Sequence, residues 1–423
     1  MKTDDTERRA RVVLTGATDS KKAFELRDFL NRSVVAFDWR PLQSDEDART
    51  IPGIRGLDDT RLPVCEFPDG TRLFDPSVKE VAARLGWVQV PRLREYDVSI
   101  YGAGPAGLSA AVYAASEGLK TVLIERHAVG GQAGCSSLIE NYMGFPQGIS
   151  GAELAERARQ QAVRFGAEIL QMREGVNATF ENGQIIVDMA DGSKLRAKTN
   201  ICATGIEWRR LNLPNESRFL HAGLFYGAGA SEAPICKGET VYVVGGGNSA
   251  GQAAMHLSEY ADEVVMLVRG PSLAATLSDY LVKKIERSSV VRVVSNCEVV
   301  AVDGDHRLRE VTVRDRVNGG TETLAATRIF VCIGGAPHTE WARNTDIVRD
   351  AAGYLVTGPD LLRDGRAPES WPLQRAPFYL ETSVPGSFAA GDVRHNSIKR
   401  VASAVGEGAM AVSFVHQHLA HQG

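Results

Sequence analysis

Two glycine motifs stand out in the sequence because their spacing is suited to holding the pyrophosphate of a dinucleotide. The first motif comprises Gly102, Gly104 and Gly107 and follows the apolar run Val98–Tyr101. Glycines at this spacing let the backbone approach a pyrophosphate, and the amides that open the next helix attract its negative charge. A strand before the motif and a helix after it make the pattern informative. We therefore predict a strand–turn–helix unit that binds a dinucleotide.

A second motif of the same kind follows the apolar run Val241–Val244. The residues that we expect to contact a nucleotide there are Gly245, Gly247, Asn248, Ser249 and Ala250. Either motif alone is also compatible with a structural βαβ unit that binds no ligand. Two motifs in the same strand–helix context favour nucleotide binding over that alternative.

The residue at the end of the next strand distinguishes the two nucleotides. Glu125 closes the run Thr121–Ile124, and a carboxylate at this position accepts hydrogen bonds from a ribose diol. Arg269 closes the run Val264–Val268, and a guanidinium suits a 2′-phosphate but offers no acceptor to a diol. We therefore expect FAD at the first motif and NADPH at the second.

Composition excludes several other classes of function. The 423 residues suffice for two or three domains, and 43% hydrophobic with 24% charged residues are typical of globular proteins. A net charge of −4 gives no electrostatic basis for nucleic-acid binding. The sequence contains no run of 18 apolar residues, so it predicts no membrane-spanning helix. Because the first residues lack the apolar core of a secretory signal, we expect a cytoplasmic protein. The six cysteines show neither a CxxC nor a metal-ligand spacing with the histidines, so we predict no metal site.

Residues 1–94 have the pattern of a small α/β domain. We predict a strand at Val12–Leu14, a helix from Ser20 to Arg32, a strand at Val34–Phe37, a hairpin across Leu62–Phe74 and a helix at Ser77–Leu85. This order resembles a glutaredoxin or thioredoxin domain, and the resemblance implies that Pro63 is the proline, usually cis, beside the redox site. The loop Thr15–Ser20 has no cysteine. We therefore favour a docking or structural module over a thiol-redox role.

The remaining chain resembles the low-molecular-weight thioredoxin reductases. The resemblance covers residues 95 to 423 and rests on the segments Gly130–Gln132, Ile139–Pro146, Gly151–Leu154, Ala203–Gly205, Val243–Ser249 and Gly386–Asp392. It implies an α/β fold with two Rossmann-like dinucleotide-binding domains, the NADPH domain inserted in the FAD domain. With the N-terminal glutaredoxin/thioredoxin-like domain, the predicted boundaries are 1–94, 95–206 for the first part of the FAD domain, 207–324 for the NADPH domain and 325–423 for the second FAD part. We also expect a homodimer.

The resemblance also assigns roles around the flavin. It implies that Gln132 and Asn141 contact the isoalloxazine ring and that Asp392, next to Gly391, accepts a hydrogen bond from the ribityl chain. The helix that begins near Arg400, Val401 and Ala402 should direct its amides toward the N1/O2 edge of the flavin. The family shows His-Arg-Arg where this chain has Val268, Arg269 and Gly270, so one arginine is lost and the NADPH preference is weakened. Ser272 and Lys284 could compensate or could be solvated surface residues.

The family's redox dithiol is missing. The resemblance places its two cysteines at Gly227 and Ala230, and neither residue carries sulfur. Electrons therefore cannot pass from the flavin to a disulfide by that route. Cys135, near the predicted flavin site, is the remaining candidate, either as a reactive thiol or as a small packing residue.

Two functions remain open at this level. The first is an enzyme in which NADPH reduces FAD and the electrons pass to a small-molecule or protein acceptor. The second is a flavin-loaded sensor or scaffold that docks a partner through its N-terminal domain. The presence of both nucleotide motifs favours the enzyme.

Overall fold

The chain divides into two compact units. The computed structural model describes residues 11–18, 20–181, 183–227 and 232–421. Unit one contains residues up to Asn31, Val35–Val81 and Trp208–Gly335, and unit two contains Arg32–Val34, Ala82–Glu207 and the residues from Ala336 onward. The N-terminal segment and the second glycine motif therefore belong to one unit, and the first glycine motif belongs to the other.

The N-terminal segment combines a four-stranded sheet with short helices. In chain order its elements are β1 (Val12–Ala17), α1 (Lys21–Arg32), β2 (Phe37–Leu42), α2 (Asp45–Arg49), β3 (Val64–Glu66), β4 (Arg72–Phe74) and α3 (Val78–Arg84). The strand order is β2-β1-β3-β4. Strand β1 is parallel to β2 and antiparallel to β3, and β4 is antiparallel to β3.

Local signals in this segment explain where its elements begin. Ser20 accepts a hydrogen bond from the Ala23 amide and so caps α1, and Ser77 and Glu80 bond each other's amides at the start of α3. The hairpin turns at Gly70, whose φ of 82° favours glycine. The Leu62–Pro63 bond is cis, as expected.

The predicted second strand was wrong in position. We expected it at Val34–Phe37, whereas β2 begins at Phe37 and continues to Leu42. Val34 has a φ of 52° and lies in the turn that follows α1, so the chain cannot yet be extended there.

Unit two is built around a mostly parallel sheet. Its first elements are β5 (Tyr96–Tyr101), α4 (Pro105–Ser116), β6 (Thr121–Glu125), α5 (Gly151–Arg164), β7 (Glu168–Gln171), β8 (Gly175–Glu181), β9 (Gln184–Met189), β10 (Lys194–Cys202) and β11 (Ile206–Trp208), the last of which ends in unit one. The strand order is β7-β6-β5-β10-β9-β8. Strands β7, β6, β5 and β10 are parallel, and β9 and β8 continue the sheet as an antiparallel pair. The apolar runs of the parallel strands are buried, as is usual when helices cover such a sheet.

The second half of unit one has a parallel sheet of its own. Its elements are α6 (Glu216–Phe219), β12 (Leu224–Tyr226), β13 (Thr240–Val244), α7 (Asn248–Leu257), β14 (Glu263–Leu267), α8 (Asp279–Arg287), β15 (Val291–Val294), β16 (Cys297–Gly304), β17 (Leu308–Asp315), β18 (Thr321–Ala325) and β19 (Ile329–Val331). The parallel order is β12-β19-β13-β14-β15, and β16-β17-β18 form an antiparallel sheet. Strand β19 thus lies between β12 and β13, although the sequence-based boundary placed it after residue 324.

The C-terminal segment completes unit two. Its elements are β20 (Gly335–Pro337), which pairs with β11, then β21 (Ser387–Ala389) and α9 (Val401–Ala420). Strand β21 is parallel to β10 and makes the sheet of unit two seven-stranded. Helix α9 packs closely on α4, since a Cβ atom at Gly408 would lie 2.1 Å from the Ala106 oxygen. In the described part of the chain no helix is both long and apolar enough to cross a bilayer.

Within unit one, the N-terminal segment is anchored in the core of the second sheet. Phe24 of α1 is only 5% exposed and stacks on His221 at 4.7 Å between ring centroids. Its ring also lies 5.1 Å from that of Phe225, which in turn stacks on Phe330. Arg27, one turn along α1, is buried with its guanidinium over the Trp39 ring at 4.8 Å. The N-terminal segment is therefore a packed part of unit one.

Replacing Phe24 by alanine should destabilise unit one, because the change leaves a cavity among buried aromatic rings. We expect a loss of about 3–5 kcal/mol in the free energy of unfolding, measured by urea titration. The matched control is Phe74→Ala, since Phe74 lies on β4 with 42% of its surface exposed and should change stability by less than about 0.5 kcal/mol. Equal effects of the two variants would show that Phe24 is no anchor.

Candidate functional site

The first glycine motif forms the turn between β5 and α4. A Cβ atom at Gly102, whose φ is 98°, would lie 2.4 Å from the Ala203 oxygen, and one at Gly107 would lie 1.9 Å from the Gly102 oxygen. These two glycines are required by backbone packing. A Cβ atom at Gly104 would meet nothing closer than 4.0 Å, so the space beside it is open to a ligand. Gly104 also precedes α4 without a side-chain cap, which leaves the first-turn amides able to bind an anion.

Glu125 is held beside this turn by two backbone amides. Its carboxylate oxygens accept hydrogen bonds from Ala103 N at 2.7 Å and from His127 N at 2.8 Å. Each oxygen retains a lone pair for a ribose hydroxyl. The geometry supports the predicted role of Glu125 at the adenosine ribose.

Gly391 and Asp392 lie at the same end of the sheet as the first motif. A Cβ atom at Gly391 would approach the Ala106 Cβ to 3.0 Å, so this turn packs on the first residues of α4. The Gly391 amide donates to Glu407, which also pairs with Arg394 at 2.6 Å. Burial raises the pKa of Asp392, and no residue in the described part of the chain donates a hydrogen bond to its carboxylate. Such a half-buried acceptor fits the hydroxyls of a ribityl chain.

Helix α9 supplies a positive pole next to this turn. Arg400 occupies its N-cap position with no side-chain cap, and Val401 and Ala402 form the start of its first turn. The amides of that turn therefore have no intrahelical acceptor, and the 20-residue helix adds the positive end of its dipole. This arrangement is compatible with the predicted stabilisation of negative charge on a flavin, which stays a prediction.

The segment after the first motif contributes two of the three remaining predicted residues. The Gly131 Cα lies 4.0 Å from the position of a Cβ at Gly104, which places this segment beside the glycine turn. Gln132 Nε2 donates to the Ile206 oxygen at 2.7 Å. The half-buried thiol of Cys135 lies 3.9 Å from the Gly131 oxygen. Gln132 and Cys135 therefore border the predicted flavin site.

Asn141 lies apart from these residues. It is exposed in the loop closed by the bridge between Ile139 and Ile149. Within the described ranges no hydrogen bond joins it to another predicted flavin residue. Its contact with the ring thus stays a prediction.

The second glycine motif repeats the geometry of the first in unit one. A Cβ atom at Gly245, whose φ is 138°, would lie 2.3 Å from the Cys332 oxygen, whereas one at Gly247 would meet nothing within 4 Å. Helix α7 begins after Gly247 without a side-chain cap. Asn248 Oδ1 accepts a hydrogen bond from the Ser278 amide at 2.8 Å, which ties the motif to the residue before α8. Ser249 is exposed and Ala250 is buried.

Arg269 follows β14, where the 2′-position of the adenosine ribose is expected. Its side chain is exposed, and in the described part of the chain it forms no hydrogen bond or ion pair. The sequence did not draw attention to Arg316, which donates through Nη1 to the Arg269 oxygen at 3.0 Å. Ser272 is exposed, and Lys284 lies on α8 with its ammonium over the Tyr280 ring. The second arginine near Arg269 thus comes from the turn after β17, 47 residues further along the chain.

Comparison with known proteins agrees with this geometry. A family model described as pyridine nucleotide-disulphide oxidoreductase matches residues 96–408. The chain belongs to this family. It is 35% identical over 317 residues to a thioredoxin reductase of Treponema pallidum, covering 75% of this chain and 95% of that protein. It is 32% identical over 402 residues to the F component of the alkyl hydroperoxide reductase of Escherichia coli, covering 93% of this chain and 72% of that protein. The solved thioredoxin reductase of T. acidophilum has a TM-score of 0.68 at 29% identity, covering 77% of this chain and 99% of that one.

Membership of the pyridine nucleotide-disulphide oxidoreductase family confirms the two Rossmann-like folds and the cofactor classes. The chain is an NAD(P)H-dependent flavin oxidoreductase with FAD as its prosthetic group. The observations that fit these groups are the open space at Gly104 and Gly247 and the Asp392 carboxylate, to which no described residue donates a hydrogen bond.

The resemblance to thioredoxin reductases places the first cysteine of the dithiol at Gly227. Gly227 has a φ of 82°, and a Cβ atom there would lie 3.1 Å from Cζ2 of Trp208. A cysteine at this position would need both a left-handed backbone and a displaced indole ring. Ala230, the second predicted position, lies outside the described residues.

The other cysteines are unsuited to replace this dithiol. Burial raises the pKa of four thiols to about 12, namely Cys65, Cys202, Cys236 and Cys332. Burial also raises the pKa of Cys297. Since the thiolate is the reactive form, these five are structural, and Cys135 alone is partly accessible. The described residues contain no cluster that could hold a metal ion.

The two open glycines should separate the two nucleotide sites. Gly104 and Gly247 have extended backbone angles that alanine adopts freely, so Gly104→Ala and Gly247→Ala should both fold. We expect Gly104→Ala to weaken FAD binding about tenfold or more, and Gly247→Ala to raise the KM for the nicotinamide nucleotide with full FAD content. Flavin titration of the apoprotein and steady-state kinetics measure these effects, and each variant is the control for the other. Loss of FAD from both variants would contradict the assignment.

Proposed function

We propose that this protein oxidises NADPH with FAD and transfers the electrons to an acceptor other than a CxxC disulfide. The observation that carries the proposal is the Gly227 position, where Trp208 packs against the backbone in place of a thiol. Both nucleotide sites retain the features that binding needs. An enzyme with both glycine turns in place and no CxxC dithiol would need a different electron acceptor.

Unit two is the FAD domain of the proposed enzyme. Its glycine turn binds the pyrophosphate, Glu125 the adenosine ribose and Asp392 the ribityl chain. When bound, FAD accepts a hydride from the nicotinamide and releases two electrons to an acceptor. The amides that follow Arg400 hold the flavin edge where negative charge develops, and Gln132 orients the segment beside it. The residues assigned to this site are Gly102, Gly104, Gly107, Glu125, Gln132, Asn141, Gly391, Asp392, Arg400, Val401 and Ala402.

The second half of unit one is the NADPH domain. The motif from Gly245 to Ala250 binds the pyrophosphate on the first turn of α7, and Arg269 meets the 2′-phosphate. We place the limits of this domain at Trp208 and Gly335, because β19 belongs to its sheet.

The N-terminal segment is a glutaredoxin/thioredoxin-like domain with a structural role. The strand order β2-β1-β3-β4, with β1 parallel to β2 and antiparallel to β3, supports the likeness. Thr18, in the loop that would carry a thiol, lines a small cavity together with Phe24 and His221. Phe24, which lines the same cavity, is buried against His221 and Phe225, so this face of α1 is covered within unit one. We therefore favour an anchoring role over docking.

The acceptor is a small molecule or a protein, and the proposed enzyme is a cytoplasmic homodimer. Six free cysteines and no disulfide are compatible with a reducing compartment. The dimer rests on the resemblance to thioredoxin reductases.

Addition of NADPH under nitrogen tests the proposal. The flavin absorbance near 450 nm should bleach rapidly, because both nucleotide sites are present, yet thioredoxin should not be turned over in an insulin-reduction assay. A flavin that stays oxidised would support a sensor or scaffold instead. Robust thioredoxin turnover would show that another thiol, Cys135 first, replaces the dithiol, and Cys135→Ser would then abolish it.

Arg269→Ala should change the choice of nicotinamide nucleotide. We expect the variant to lose roughly 1.5–3 kcal/mol of transition-state stabilisation with NADPH, calculated from the ratio of the kcat/KM values, because a charge-assisted hydrogen bond to the 2′-phosphate disappears. The kcat/KM for NADH should stay nearly unchanged because NADH has no group for this guanidinium. Equal losses with both nucleotides in steady-state assays would make Arg269 a structural residue.

A further inference from the structure

A second guanidinium lies next to the predicted 2′-phosphate position. Arg316 follows the last residue of β17, and its amide donates to the Asn296 oxygen at 2.8 Å. Asn296 in turn donates its amide to Gly270 at 3.0 Å, directly after Arg269. The Arg316 side chain closes the arrangement by donating to the Arg269 oxygen at 3.0 Å. The turns that follow β14 and β17 are thus tied together, and Arg316 remains close to Arg269.

The charges of this corner do not balance. Glu298 on β16 binds Arg314 through two guanidinium nitrogens and lies 3.8 Å from Nε of Arg316. The hydrogen bond from Arg314, together with the charges of Arg314, Arg316 and Arg269, lowers the pKa of Glu298. Three guanidinium groups therefore act on Glu298, and the only other carboxylate of this turn in the described chain, Asp315, accepts hydrogen bonds from Val317 and Asn318. The local excess of positive charge would be relieved by an anion.

Arg316 is better placed than Arg314 to meet that anion. Arg314 already directs its Nε and Nη2 to Glu298, whereas Arg316 reaches Glu298 only at 3.8 Å and keeps 45% of its side chain exposed. Its bond to the Arg269 oxygen uses one nitrogen, Nη1. The other donors of its guanidinium fork remain available for phosphate oxygens.

We infer that Arg316 is the second ligand of the 2′-phosphate of NADPH and replaces the arginine lost at Gly270. The inference rests on the proposed use of NADPH. Because Arg316 comes from the β17–β18 turn, this chain regains a two-arginine phosphate site from a part of the fold outside the βαβ unit. Two guanidiniums on one phosphate dianion would favour NADPH despite the Val268-Arg269-Gly270 sequence.

The test compares Arg316→Ala and Arg316→Gln with the wild-type holoenzyme. Calorimetry with adenosine 2′,5′-bisphosphate and with ADP reports the phosphate contact without turnover. We expect both variants to bind the bisphosphate about tenfold more weakly and ADP unchanged. The KM for NADPH should rise by a similar factor, and that for NADH should not. Glutamine and alanine both end short of the Nη1 position, so neither keeps the hydrogen bond to the Arg269 oxygen. Unchanged binding of ADP therefore shows that the backbone around Arg269 is intact in these variants.

The matched control is Arg292→Ala, because Arg292 lies on β15 of the same unit in an exposed pair with Glu263 at 2.9 Å. It should leave both ligands unaffected. Equal weakening of bisphosphate and ADP in the Arg316 variants would show that Arg316 only supports the backbone, and unchanged bisphosphate binding would also overturn the inference. If the wild type bound both ligands equally, the proposed NADPH preference itself would fail. Calorimetry on the wild type alone shows that outcome, so it can be distinguished from a failure of the inference about Arg316.

Discussion

The structure depends on how closely two glycine turns approach a neighbouring parallel strand. At Gly102 and at Gly245 a Cβ atom would lie within 2.4 Å of a carbonyl oxygen at or just after the end of the adjacent strand, from Ala203 and Cys332 respectively. No residue with a side chain fits between these backbones. This close contact aligns the carboxyl ends of the parallel strands in each sheet. It also directs the N-terminus of the following helix toward the position where a pyrophosphate is expected to bind. The other site residues are arranged around these two turns.

The same constraint explains why the middle glycines differ from their neighbours. A Cβ atom at Gly104 would meet nothing nearer than the Gly131 Cα at 4.0 Å, and one at Gly247 would meet nothing within 4 Å, so neither glycine is required by packing within the described chain. A glycine with no close neighbours in the protein leaves space for a bound ligand. This distinction between crowded and open glycines separates the requirements of the fold from those of the ligand, which a sequence motif cannot do.

Much of the fold and of the site could be predicted from the sequence, because the signals are local. The glycine spacing, the residue that ends each following strand, and the caps at Ser20 and Ser77 act within a few residues. The errors arose where distant segments decide. Val34 is apolar but lies in a left-handed turn, and β19 joins its sheet only because β12 and β13 leave a position between them. Arg316 could not be predicted, since its relation to Arg269 spans 47 residues.

The loss of the dithiol is more than the absence of two sulfur atoms. Gly227 adopts a left-handed backbone and its amide donates to the Val331 oxygen, while Trp208 packs over the position of a Cβ atom. A thiol there would have to distort a backbone conformation that β19 and the indole ring both stabilise. The local structure is therefore adapted to glycine, and it would resist a return to disulfide chemistry by simple substitution. The two nucleotide sites are built on glycine turns other than the one at Gly227. Nucleotide binding therefore does not depend on a dithiol at that position. The proposed acceptor, which is not a CxxC disulfide, would then be recognised by features other than a dithiol in this domain.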